Sequence, residues 1–122
     1  MPIKPQSAKA KGRVLQQRVA AMLTEIFDLE EGDLVSRPMG SGGADLMASP
    51  AARKKFPATV ECKNTKKIPA MDEIRQASYN AFKDTLPLVA WKPPRVLYED
   101  TLVVMRLKDF AEWWKKNGHN NG

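Results

Sequence analysis

The chain has 122 residues, 43% hydrophobic and 28% charged, which suits one globular domain with a modest core. A formal net charge of +6 points to anionic partners, while one histidine and one cysteine are too few for a disulfide framework or an ordinary structural zinc site. No apolar run approaches membrane-spanning length and residues 1–18 lack the apolar centre of a secretory signal, so the expected setting is the cytoplasm, a host's if the chain is viral, with no membrane partner.

Residues 1–10, with two prolines and small or basic side chains, read as a flexible basic arm. From 11 to 27 the spacing predicts a helix, with Leu15, Val19, Met22, Leu23 and Ile26 on one apolar stripe and Gln16 beside it. Gly32 is expected to end that helix or to make a turn. A short strand over 33–37 stops at Pro38, and the loop of Gly40, Ser41, Gly42 and Gly43 leads to a second strand over 44–48. Residues 49–57, with two prolines and three consecutive basic residues, read as an exposed connection. The strand expected over 58–63 puts Val60 and Cys62 on one face and Thr59, Glu61 and Lys63 on the other.

Pro69 can open a second helix running to about Asp84, because proline in the first turn loses no needed donor. Met71, Ile74, Ala77, Ala81 and Phe82 form its apolar side; Asp72, Gln76, Asn80 and Lys83 form its polar side. A strand over 87–91 follows, then residues 96–98 are expected to pair with 102–105 across Glu99 and Asp100. Leu107, Phe110, Ala111 and Trp114 mark a closing helix, and 117–122 form a flexible tail, leaving 11–116 as a single domain. Helices around a central mixed sheet would bury every apolar face, giving an α/β class, although periodicity leaves several α/β topologies open.

Two basic clusters stand out: Lys4, Lys9, Lys11, Arg13 and Arg18, and then Arg53, Lys54, Lys55, Lys63, Lys66 and Lys67. Clusters of this kind neutralise phosphates and release counterions, and they also occur as plain solvated faces. The most informative arrangement is Asp45 followed by Glu61, Cys62 and Lys63. If the strand of Asp45 lies beside that of Glu61, two carboxylates meet, and hard oxygen donors suit magnesium or manganese, with a backbone oxygen and water completing the shell. Lys63 is then placed to orient a nucleophile or to stabilise charge on a phosphate. The duller alternative is a salt-linked, solvated sheet face. Trp91, Trp113 and Trp114 read as core or dimer packing more readily than as base-stacking residues, and Cys62 as a small inward-facing group.

With these residues in place the chain resembles the PD-(D/E)xK nuclease superfamily, in particular the archaeal-type Holliday junction resolvases and their phage relatives. Lys11 and Gly12 match the start of the family's first helix, Ser36 and Arg37 with Gly40, Ser41 and Gly42 match its arginine and Gly-Ser loop, and Asp45 and the Glu61, Cys62, Lys63 triplet match its motif. The chain departs from that pattern at Ala44, where the family has proline, and at Gln16, where it has glutamate. The resemblance implies a restriction-endonuclease-like core and a magnesium-dependent structure-selective endonuclease, manganese substituting, acting as a homodimer on branched double-stranded DNA. It implies catalytic roles for Asp45, Glu61, Lys63 and Gln16, and metal ligation by Asp45, Glu61 and the Cys62 backbone carbonyl. The DNA contacts expected are Lys11, Arg13, Arg37, Ser41, Lys66, Lys67 and Gln76. Nicking or repair endonucleases of the same fold, and a DNA-binding protein that has lost activity through Gln16, are the alternatives.

Overall fold

Residues 8–26 contain no proline and repeat their apolar side chains at helical spacing, and α1 spans Ala8–Ile26. These and all later observations come from a computed structural model that describes residues 8–38, 40 and 42–117. Helix thus begins inside the segment expected to be a flexible arm: Ala8, Lys9 and Ala10 are already in its first turns. Leu15, Gln16, Val19 and Ala20 are buried, Met22 and Leu23 partly so, but Ile26 is 69% exposed. Ile26 is the last residue of the helix. Asp28, at φ 53, takes the left-handed conformation, and Leu29 N donates to Thr24 O at 2.9 Å, a bond that closes the last turn. Asp28 therefore does the terminating, and Gly32 (φ 89) serves the turn that leads into the first strand.

Strands β1 (Leu34–Ser36) and β2 (Leu46–Ala48) form an antiparallel hairpin with Leu34 opposite Ala48 and Ser36 opposite Leu46. Arg37 N to Asp45 O and Ser49 N to Asp33 O, both 2.8 Å, extend the pairing at each end. The connection expected after β2 is instead a helix, α2 (Pro50–Lys55). Ser49 Oγ accepts from Ala52 N at 3.1 Å, Pro50 occupies the first turn, and Arg53, Lys54 and Lys55 lie at the electronegative end.

Strand β3 (Ala58–Lys63) lies where alternation predicts. Helix α3 is shorter than expected, Met71–Tyr79 rather than 69 to about 84, because the chain turns at Asn80 and reaches a left-handed Asp84 (φ 61). Strand β4 (Leu86–Trp91) runs parallel to β3, with Glu61 opposite Val89. Residues 96–98 do not pair with 102–105. Arg95 (φ 69) and a single 3-10 turn at Tyr98–Asp100 redirect the chain, so that β5 (Leu102–Val104) adds antiparallel to the free edge of β4. Helix α4 (Leu107–Asn117) closes the described chain.

The outcome is an α/β fold with a mixed sheet of order β3-β4-β5, a separate hairpin and flanking helices. On one sheet face Val60, Leu86, Leu88 and Ala90 pack with Leu15 and Val19 of α1; on the other, Val89 packs with Ile74 and Ala77 of α3. Both faces of the parallel pair are covered, as such pairs require. Among the described residues no helix is long and apolar enough to cross a membrane.

Candidate active site

Strand β3 sends its two edges to different tasks. Pro57 O and Lys63 O accept from Leu86 N and Lys92 N at 2.8 and 2.9 Å, so odd-numbered residues direct their backbone groups at β4. Cys62, one residue out of phase, faces the opposite edge. There Asp45, just before β2, meets it: Asp45 Oδ2 accepts from Cys62 N at 2.8 Å. The N–H and C=O of one strand residue point the same way, so the Cys62 carbonyl faces the edge at which Asp45 arrives.

Glu61 projects to the α3 side of the sheet and is 2% exposed. Its Oε1 accepts from Asn80 Nδ2 at 3.0 Å, and its carboxyl group lies within hydrogen-bonding reach of that of Asp45. Burial, chiefly, pushes the Glu61 carboxyl up from 4.5 to about 7; the neighbouring Asp45 adds to this, while the Asn80 hydrogen bond and the Lys63 charge oppose it. Near neutral pH the Glu61 carboxyl is thus part protonated beside Asp45, and a cation placed there would compete with that proton. The Cys62 thiol is raised by burial and then by the charges of Asp45 and Glu61, so it stays protonated and packs against the main core.

Gln16 is buried on α1, where its Oε1 accepts from Ser36 Oγ at 2.8 Å. That bond ties the helix to β1 one residue before Arg37. Arg37 Nε donates to Ala44 O at 2.5 Å, beside Asp45. Gly43, at φ 104, is what allows this approach: a Cβ there would lie 2.9 Å from the Arg37 guanidinium carbon. Lys11 and Arg13 are exposed on α1, Lys66 and Lys67 on the loop after β3, and Gln76 on α3. Ser41 lies outside the described residues. Trp91 Nε1 donates to Thr65 O at 2.8 Å, anchoring the start of that loop.

The structure thus brings together Asp45, Glu61 and the Cys62 backbone, with Lys63 close enough for its charge to act on Glu61. The contact to Glu61 from α3 comes from Asn80, not from Gln76. Its one available signal was a place on the polar side of the helix, one turn after Gln76.

Among the described residues no group of three or more His, Cys, Asp or Glu side chains gathers into a cage for a metal ion. The donor set is narrower: two carboxylates and a strand carbonyl. That set fits magnesium, a hard cation that keeps several waters and takes one or two carboxylates from a protein. Comparison of the chain with protein families, with curated proteins and with solved structures found no match.

Proposed function

We propose that this chain is a magnesium-dependent DNA endonuclease of the PD-(D/E)xK type, with a restriction-endonuclease-like fold, that cuts at four-way junctions. The observation that carries the reading is the meeting of the Asp45 and Glu61 carboxyl groups at the Cys62 edge of β3. The resemblance at Arg37, Asp45, Glu61 and Lys63 supplies the choice of DNA, and the net charge of +6 agrees with a polyanion.

Asp45, Glu61 and the Cys62 carbonyl would hold the ion. When bound, magnesium lowers the pKa of attacking water and offsets charge on the phosphate. Burial of Glu61 keeps bulk water from screening the site. Asn80 orients the Glu61 carboxyl through Nδ2. Lys63 supplies positive charge for the phosphate and opposes repulsion between the carboxylates. Cutting two strands of a junction calls for two copies, and exposed Leu102, Val103, Phe110 and Trp114 offer apolar surface for a homodimer.

The test is cleavage of four-way, nicked, flap and linear duplex DNA with magnesium or manganese, mapping every cut. Preferred cutting of the four-way junction is expected; Asp45→Asn should abolish it, and Lys63→Ala should lower the rate at least about 100-fold with junction affinity changed less. Equal loss of binding and cleavage in Lys63→Ala would remove its chemical role. A second reading, DNA binding without cleavage, is favoured by Gln16, a neutral group held on Ser36. Binding without cuts under every metal condition would select it.

A further inference from the structure

Behind the loop that carries Asp45 lies a cavity of about 260 Å³, walled by Arg37, Gly43, Arg53, Thr59, Asn80 and Phe82 among others. It adjoins the candidate active site: Asn80 also reaches Glu61, and Ala44, another wall residue, precedes Asp45. Two arginines line it, and each is tethered by a backbone carbonyl. Arg37 Nε donates to Ala44 O at 2.5 Å, and Arg53 Nη1 to Ala48 O at 2.6 Å. The only ion pairs among the described residues join Arg75 to Asp72 and Arg106 to Asp109, so neither cavity arginine is neutralised by a carboxylate. Both are half-buried, and a guanidinium has five donors, so most of theirs remain for a ligand.

The far wall is built to hold its shape. The Arg53 guanidinium carbon lies 3.9 Å from the centre of the Phe82 ring. Phe82 N donates to Thr59 Oγ1 at 2.9 Å, and Thr85 Oγ1 donates to Phe82 O at 2.5 Å, which fixes the turn after α3 to β3. Two planar guanidinium groups on one cavity, each with donors to spare, match the oxygens of a phosphate.

We infer that Arg37 and Arg53 form a second anion subsite, which takes a backbone phosphate of the bound DNA strand next to the one held at Asp45 and Glu61. This rests on the reading of the chain as a DNA-cutting protein and names how the strand is gripped beside the cut.

The test separates the two. The full chain is titrated into fluorescein-labelled four-way junction DNA in EDTA, so binding is read without cleavage, across a series of salt concentrations. Arg53→Gln is expected to weaken binding about tenfold near 0.1 M salt and to lower the salt slope by about one, while Arg75→Gln, an exposed control, changes neither. Thermal unfolding checks that each variant is folded. Should Arg53→Gln not fold, side-chain NMR of the unaltered chain serves instead: the Nε signals of Arg37 and Arg53 should shift on adding DNA. A folded Arg53→Gln with unchanged affinity and slope, or Nε signals that answer to inorganic phosphate but not to DNA, overturns the subsite. An Arg53-dependent junction complex that never cuts with any metal upholds the subsite and overturns the endonuclease instead.

Discussion

Among the described polar and charged residues Glu61 is the most deeply buried. With its carboxyl pushed from 4.5 up to about 7, the folded chain holds that proton more tightly than the unfolded chain does. The stabilisation from it is complete below the unfolded value and is lost as pH rises through 7. Metal-free Glu61→Gln should therefore be more stable than the parent near pH 8, by up to about 3 kcal/mol, with the gain vanishing near pH 4. Thermal unfolding at both pH values checks this, and a gain equal at both would contradict it. If the site takes magnesium as proposed, the ion should reverse the order near pH 8, because the carboxylate offers it a charge that the amide lacks. The pairing of Glu61 with Lys63 on one face was legible in the sequence, because side chains on a strand alternate. Asn80 was not, since its contact depends on where α3 stops, and propensity does not locate a helix end to within one turn. At Gln16 the residue type was plain, but not its partner: burial against Ser36 is a matter of packing between α1 and β1.

Among the elements, those with many periodic residues were readable and the short ones were not. Helix α1, β3 and β4 each carry enough apolar repeats to reveal their period. Helix α2 has six residues, and a segment with two prolines and a basic run looks like a loop until Ser49 is seen as its cap. Ser49 Oγ also donates to Asp33 Oδ1 at 2.9 Å, so one hydroxyl joins the start of α2 to the hairpin. Ser49→Ala should cost about 1–2 kcal/mol, read as a lower midpoint in urea with an unchanged slope. A midpoint identical to the parent's would mean that Pro50 alone is enough to start the helix. The misplaced pairing of 96–98 has a similar origin: two apolar runs near each other in sequence suggest a hairpin, but a left-handed Arg95 turns the first away, and β5 finds the edge of β4 instead.

For the molecule as a whole, the α/β class followed from the order of periodic segments, whereas the break between the hairpin and the three-stranded sheet did not. Strand β5 is an edge, and Leu102 and Val103 on it are 50% and 54% exposed, with Trp114 of α4 at 51%. If a homodimer forms across this surface, sedimentation velocity should show a two-chain species that Leu102→Lys or Trp114→Lys converts to one chain without lowering thermal stability. A single-chain species at every loading concentration of the parent would remove the dimer. The hairpin itself poses a different constraint. Among the described residues no backbone ladder joins β2 to β3, and Asp45 Oδ2 bridges that gap through Cys62 N. Position 45 is thus a latch as well as a charge. Truncation there removes the bond to the strand and the charge together, whereas an amide in its place keeps an oxygen for the strand and takes away only the negative charge.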